Sequence, residues 1–263
     1  AGRLLGERTT ARELAALLRK HGHDAVAEGK RVVFTPPPYR NDFLHPVDVA
    51  EEVVVARGLA SFEPVMPEDY TIGRLSDAEM FLRRARDIMV GLGFQEMIFN
   101  YLGSWRDFVE KMRLTGEGMI EIANPMTENY AVVRNSTLAH LLGSESVSAN
   151  AVYPHRIFEI GKVAFQDAAD PSGCVTRNSL GVLWADRAAG LNEVTPVVAA
   201  LAYYLVGEVD LRPTSDPRFI EGRAAEILRG SRRVGVLGEV HPEVLGNWGI
   251  VMPCACVEID LDL

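Results

Sequence analysis

The sequence predicts an α+β fold in two domains. Within the first seventy residues, a helix, a hairpin and a second helix follow one another. Further on, strands joined by hairpins are interrupted by helices, which is typical of an antiparallel sheet flanked by helices. A proline-punctuated segment, residues 59–75, separates the two patterns. We therefore place the domains at residues 1–68 and 69–263, and 263 residues with 48% hydrophobic content suffice for a core in each.

The first domain has clear start and turn signals. A capping-box pattern beginning at Thr10, with leucines on one face after it, predicts a helix over residues 10–21. The valine-rich residues 24–35 predict a hairpin. Proline suits the first position of a helix, whose N–H has no intrahelical partner. A second, acidic helix is therefore predicted to begin at about His45-Pro46.

The second domain begins with another capping box, at Ser76, which opens a predicted helix to about Val90 that a Gly-x-Gly break ends. The elements after it alternate irregularly along the chain. Further helices are predicted near residues 104–112, 138–150, 192–206 and 242–248. Strands are predicted near residues 95–101, 155–161, 178–185, 208–211, 223–228, 233–240 and 254–260.

The charge distribution excludes some classes of protein. The chain has a net charge of −9, but residues 1–40 hold 8 Lys/Arg against 4 Asp/Glu and the remainder 19 against 32. An acidic main body argues against broad binding of phosphate backbones, whose affinity depends on neutralising many phosphates. The absence of a long apolar run predicts no membrane span. The chain has three cysteines, an odd number, which favours a reduced, cytoplasmic setting over a framework of disulfides. It starts at Ala1 without methionine, which suggests a piece of a longer protein.

The acidic helix carries the main candidate site. Asp48, Glu51 and Glu52 are spaced to share one helical face, and a turn could bring Asp42 over it. Such acids can simply favour a helix N-terminus, where the helix dipole is positive. Alternatively, four converging carboxylates suit a hard divalent cation with oxygen ligands, such as Mg²⁺. The residues alone leave both interpretations open.

A second pattern could also suggest a metal. His21 and His23 are separated by one residue at the predicted end of the first helix. A helix C-terminus favours histidines electrostatically, and this interpretation is preferred here.

The stretch from Pro36 to Gly58 resembles the signature of the B5 domain in the β subunit of phenylalanyl-tRNA synthetase. It contains that signature's Pro-Pro-Tyr-Arg-x-Asp turn and its Asp-x-x-Glu-Glu helix, and the order of the first domain resembles the winged-helix-like B5 module. In the family, four acids bind Mg²⁺ next to the partner subunit. The resemblance therefore implies that role for four matching residues, Asp42, Asp48, Glu51 and Glu52.

The rest of the chain resembles the non-catalytic, class II synthetase-like core of the same subunit, in its archaeal/eukaryotic type. The long helix, the Gly-x-Gly-Phe break and the following strand resemble motif 1 of class II aminoacyl-tRNA synthetases. Short motifs of the β-subunit core recur as Asn124-Pro125, Arg134-Asn135-Ser136, Phe158-Glu159-Ile160-Gly161, Gly222-Arg223-Ala224-Ala225 and Gly238-Glu239-Val240-His241-Pro242-Glu243. The resemblance covers essentially the whole chain.

No catalytic residue is predicted in this chain. Activation of an amino acid with ATP requires arginines and Mg²⁺ that stabilise the transferring phosphoryl group. Neither an Arg-x-Glu nor a Gly-x-Gly-x-x-Arg pattern occurs, and a P-loop is absent. Arg134, Arg156 and Arg223 could gather in a pocket, but a surface salt bridge is the preferred interpretation for each.

The resemblance implies a supporting role within phenylalanine–tRNA ligase, an assembly of two α and two β chains. The chain would support the catalytic α subunit, which charges tRNA with phenylalanine using ATP and Mg²⁺. The Mg²⁺ ion at the four acids would be shared with the α subunit. The tRNA would be contacted through the assembly. The editing module of the β subunit would lie upstream, outside this chain. Two alternatives remain: a free-standing class II-like paralogue that binds ATP or an aminoacyl adenylate, and a nucleic-acid-binding module using the basic N-terminal segment.

Overall fold

A computed structural model describes residues 2–148 and 150–262. The chain forms two compact units, Ala1–Gly73 and Arg74–Leu263. Both helices and strands occur in each unit, and the α+β prediction is confirmed.

The first unit has the predicted order of helix, hairpin and helix. A short helix, α1 (Gly2–Leu5), precedes α2 (Ala11–Lys20), the hairpin strands β1 (Asp24–Glu28) and β2 (Arg31–Thr35), and α3 (Pro46–Arg57). Thr10 and Glu13 form the predicted capping box at the start of α2. A small core of apolar side chains joins the helices to the hairpin. It contains Ala15, Leu18, Ala25 and Val53.

The second unit is built on a seven-stranded sheet. In spatial order its strands are β3 (Gln95–Glu96), β7 (His155–Gln166), β8 (Cys174–Ala185), β12 (Cys254–Asp260), β11 (Arg232–Val240), β10 (Phe219–Arg229) and β9 (Asp210–Pro213). Neighbouring strands are antiparallel except for β3 and β7, which are parallel at one edge. The predicted antiparallel sheet is therefore confirmed, with one parallel pair added.

Helices cover both faces of this sheet. On one face, α4 (Asp77–Gly91) and α6 (Leu191–Leu201) bury apolar side chains against the strands. On the other face, α5 (Leu138–Val147) and α7 (Pro242–Trp248) do the same. The predicted helix over residues 192–206 continues beyond α6 as a π-helical turn over Ala202–Val206. The predicted helix near residues 104–112 is a π-helical turn over Arg106–Glu110.

The strand predicted over residues 95–101 is shorter than expected. Its last ladder contact is the bond from the Met97 N–H to the Phe158 carbonyl at 2.7 Å. The next inward N–H, that of Phe99, instead donates to the Glu159 carboxylate at 3.2 Å, and the chain leaves the sheet there. Beyond this point a small separate sheet forms from β4 (Leu102–Gly103), β5 (Ile120–Glu121) and β6 (Val132–Val133).

Candidate functional site

The acidic helix begins as predicted. The chain enters α3 through His45, and Pro46 takes the first helical position. The Asp48 carboxylate accepts hydrogen bonds from the N–H groups of Leu44 and His45, at 2.8 and 2.7 Å. These bonds satisfy backbone donors close to the helix start, so Asp48 acts as part of the helix cap.

Glu52 is buried on the inner side of α3 and is surrounded by donors. Its Oε1 accepts a hydrogen bond from Arg40 at 2.8 Å. Its Oε2 lies 2.7 Å from Nδ1 of His21 and 2.8 Å from Nε2 of His23. Burial by itself raises the pKa of Glu52, but the hydrogen bonds from Arg40, His23 and His21 outweigh it and lower the pKa to about 2. Glu52 is therefore an anion at neutral pH.

Arg40 connects Glu52 to a second acid of the predicted set. Its Nε and Nη2 donate to the two carboxylate oxygens of Asp42, both at 2.8 Å. The hydrogen bond from Arg40 is the main reason that the pKa of Asp42 falls to about 2. The positive group that relieves repulsion between these two carboxylates is thus a guanidinium of the chain itself.

The four predicted Mg²⁺ ligands are not gathered around one point. Asp42 and Glu52 share Arg40, Asp48 caps the helix, and Glu51 is exposed. Within the described residues, neither Asp48 nor Glu51 takes part in an ion pair. The assignment of Mg²⁺ to these acids stays a prediction.

The structure pairs the two histidines in a way that sequence reasoning missed. His21 and His23 both contact Glu52, and their ligand atoms lie within 4.8 Å of one another. No other group of three or more His, Cys, Asp or Glu residues meets this spacing in the part of the chain that the structure describes. The His-x-His pattern was visible in the sequence. Its partner lies 29 residues beyond His23, and no local rule connects them.

The second unit has a polar cleft of about 430 Å³ on the sheet face that carries α5. Its walls carry side chains of both charges together with aromatic and hydroxyl groups. Among the lining residues are Ser136, Phe165, Arg177, Arg218, Arg233, Glu258 and Asp260. Charged and hydroxyl groups in a cleft are the contacts that a charged small molecule uses.

The charged groups of this cleft neutralise one another. Glu258 accepts hydrogen bonds from the Ser136 hydroxyl at 2.8 Å, the Thr137 N–H at 2.8 Å and Arg218 at 3.2 Å. Arg218 also pairs with Asp216 at 2.7 Å. The other two arginines are about half exposed and are paired more loosely, Arg177 with Asp260 at 3.2 Å and Arg233 with Glu226 at 4.0 Å.

The three arginines predicted to form surface salt bridges differ from one another. Arg223 is exposed and pairs with Glu239 at 2.6 Å, so its prediction is confirmed. Arg156 instead lies over the Trp184 ring, 4.1 Å from its centroid, and makes no ion pair among the described residues, so its prediction is wrong.

The prediction for Arg134 is wrong, because its side chain is fully buried and pairs with Glu159 at 2.8 Å. Gly161 makes room for it: a Cβ there would lie 2.0 Å from an Arg134 nitrogen. Glu159 and Gly161 lie on the same face of β7, since side chains alternate along a strand. An acid and a glycine two positions apart, on one face of β7, were the available signal.

One further observation concerns membranes. Across residues 2–148 and 150–262, no helix has the length and apolarity that crossing a bilayer requires.

Comparisons with known proteins agree with both units. Residues 63–261 match the family described as "Phenylalanyl tRNA synthetase beta chain CLM domain", and residues 1–59 match the "tRNA synthetase B5 domain". The chain is 46% identical over 261 residues to the phenylalanine–tRNA ligase beta subunits of Borrelia turicatae and Borrelia hermsii. It is 43% identical over 260 residues to that of Borreliella burgdorferi strain ZS7. Each alignment covers 99% of this chain and 46% of the relative, so the chain spans about half the length of these relatives.

These relatives come from bacteria, whereas the sequence analysis assigned the archaeal/eukaryotic type. That part of the prediction is corrected, because the findings support bacterial-type homologues. The family itself rests on a profile match over most of the chain. The chain belongs to the phenylalanyl-tRNA synthetase β-chain family, with a B5 domain followed by a CLM domain.

Proposed function

We propose that this chain is a non-catalytic supporting part of a phenylalanine–tRNA ligase. In this proposal it binds the catalytic α subunit within an assembly of two α and two β chains in the cytoplasm. The assembly charges tRNA with phenylalanine using ATP and Mg²⁺, and tRNA is contacted through the assembly. Family membership supports this role, because the relatives reported above carry the name of the ligase β subunit.

The observation that carries the non-catalytic part is the internal neutralisation of the polar cleft. Phosphoryl transfer needs cations that are free to stabilise charge on the transferring group. Arg218 is already held by Asp216 and Glu258, and it is nearly buried. A triphosphate entering this cleft would have to displace carboxylates from arginine and would meet their negative charge. For this electrostatic reason, we expect that the cleft does not activate ATP.

We also propose that Asp42, Asp48, Glu51 and Glu52 hold a Mg²⁺ ion shared with the α subunit. Their chemistry fits, since Mg²⁺ prefers oxygen ligands and keeps several waters. Glu51 is exposed, and one carboxylate oxygen of Asp48 makes the two cap bonds, which leaves the other for a ligand. Asp42 and Glu52 are held by Arg40, so Mg²⁺ would compete with Arg40 for their oxygens. When bound, the ion would supply a positive charge at the joint between subunits.

The test is co-purification of this chain with an α subunit of the same type. Asp48→Ala/Glu51→Ala is compared with Asp24→Ala/Glu28→Ala, which removes the same charge from exposed positions of β1 in the same unit. The expected result is a stable complex that the first double variant and chelation both weaken and the control leaves intact. A complex indifferent to both would keep the supporting role and remove the metal. Absence of a complex would overturn the supporting role.

Two binding assays address the alternatives directly. Tight binding of ATP by the chain alone would favour the class II-like paralogue. Strongly salt-dependent binding of tRNA by the chain alone would favour a nucleic-acid-binding module, because salt dependence measures phosphate contacts. We expect neither, and the same protein preparation serves for both measurements.

A further inference from the structure

The two histidines at the end of α2 are held in a defined geometry by the backbone. Gly22, between them, has φ of +87°, a left-handed conformation that glycine adopts without strain. The N–H of His23 turns back to the Leu18 carbonyl at 3.0 Å. The turn therefore brings both imidazole rings to the same side, with centroids 5.5 Å apart.

Both rings direct one nitrogen at the same carboxylate oxygen. Nδ1 of His21 and Nε2 of His23 lie 2.7 and 2.8 Å from Oε2 of Glu52. Arg40 binds the other oxygen, Oε1, and so fixes the carboxylate with Oε2 toward the histidines. The charge of Arg40 is in turn compensated by Asp42, which binds it through two hydrogen bonds. Among the three candidate ligands, Glu52 is thus oriented by outer partners, as metal ligands commonly are.

The cluster is closed on one side and open on the other. The His23 side chain is only 2% exposed and packs against the rings of Phe34 and Phe43, at 5.1 and 5.6 Å. The His21 side chain is 37% exposed, so one approach is open to solvent. A bound ion could take three ligands from the protein and a water from the open side.

We propose that His21, His23 and Glu52 form a binding site for a divalent transition metal ion of the Zn²⁺ class. Two imidazoles and one carboxylate are a donor set that suits Zn²⁺, Co²⁺ or Ni²⁺ in a tetrahedral arrangement with one water. The ion replaces the protons between the histidines and Glu52, and small side-chain shifts widen the cluster to metal–ligand distances. The site cross-links the end of α2 to α3. It differs in chemistry from the proposed Mg²⁺ site, which has oxygen ligands only and shares Glu52 with it.

The test is titration of the full 263-residue chain with Co²⁺, followed by displacement with Zn²⁺. Tetrahedral Co²⁺ bound by nitrogen and oxygen gives intense visible d–d bands, which hydrated Co²⁺ and Mg²⁺ do not. We expect these bands to appear at one equivalent and to disappear when Zn²⁺ is added.

The decisive variant is His21→Gln, which keeps an N–H donor for Glu52 but removes the imidazole ligand. It should weaken Co²⁺ binding by at least about tenfold, the lower end of what losing even an outer partner of a ligand costs. His241→Asn, at a half-buried helix cap in the second unit, is the control for histidines outside the cluster and should leave binding unchanged. Circular dichroism of each variant verifies that the chain is folded. Absence of the tetrahedral bands, or bands equally strong in His21→Gln, would overturn the proposal and leave a hydrogen-bonded cluster without a metal.

Discussion

The buried ion pair between Arg134 and Glu159 gives the sharpest stability prediction. The Arg134 side chain is fully buried and the Glu159 side chain is 2% exposed. Nη1 of Arg134 lies 2.8 Å from Oε2 of Glu159. Arg134→Met leaves the Glu159 carboxylate in the interior with the Phe99 N–H as its remaining donor in the described network. Removing one partner of a buried pair costs about 3–5 kcal/mol, because the other charge stays desolvated. For a unit of this size, that corresponds to a fall in Tm of roughly 6–20 °C.

The comparison variant is Arg223→Met, which breaks the exposed pair with Glu239. Arg223 is 60% exposed in that pair, so solvent screens the interaction and the expected loss is much smaller than that of Arg134→Met. A third variant, Arg134→Met/Glu159→Gln, removes both charges while the amide can still accept from the Phe99 N–H. It should recover much of the loss, since replacing a whole buried pair is often close to neutral.

Urea denaturation followed by tryptophan fluorescence measures all three variants. The chain's three tryptophans, Trp105, Trp184 and Trp248, lie in the second unit, so the signal reports that unit alone. Equal effects of Arg134→Met and Arg223→Met would refute the argument that burial decides the cost. Failure of the double variant to recover stability would show that packing of the arginine, and not its charge partner, holds the site together.

Three further predictions concern single groups. Burial, with a contribution from Arg134, lowers the pKa of His140 to about 4. As the pH falls, the unfolded state therefore takes up a proton before the folded state does, and the free energy of unfolding decreases between about pH 6.5 and 4. His140→Phe should abolish that decrease, which urea denaturation across a pH series measures. Asp48→Ala should cost about 1 kcal/mol and speed hydrogen exchange at the two backbone amides that it caps. Arg40→Gln frees the two carboxylates that it holds, and calorimetry of the chain should show tighter Mg²⁺ binding; unchanged or weaker binding would contradict the competition argument.

Local signals in the sequence predicted most of the elements. Capping patterns predict the beginnings of two helices, at Thr10 and Ser76, and proline at the first helical position predicts a third, at His45. The structure has a helix at each of these positions. The strands of the sheet could be predicted because apolar residues alternate with polar ones where one face of a strand is buried. The predicted strand over residues 95–101 was too long, because the Phe99 N–H donates to the Glu159 carboxylate and not to a carbonyl of the neighbouring strand. Glu159 is distant in sequence, so no local pattern predicts this contact.

The side-chain partners could not be predicted in the same way. Arg134 was expected on the surface because charged residues are rarely buried unless paired, and its pair, Glu159, is 25 residues away. Likewise the two histidines near residue 22 gave no indication of Glu52. Periodicity fixes which face a residue occupies, whereas the identity of the group opposite depends on how elements pack. Candidate sites built from long-range pairs therefore need the structure.

In both units, arginines of the chain itself decide which carboxylates can bind a ligand. In the second unit, Arg218 and Glu258 satisfy each other, so the cleft between them has little charge to offer a nucleotide. In the first unit, Arg40 holds Asp42 and one oxygen of Glu52, which leaves the other oxygen for the histidines. Release of Arg40 would favour oxygen-only coordination of Mg²⁺, and its retention would favour a mixed nitrogen and oxygen site. The position of one guanidinium would thus select between the two proposed metal sites, which share the Glu52 carboxylate.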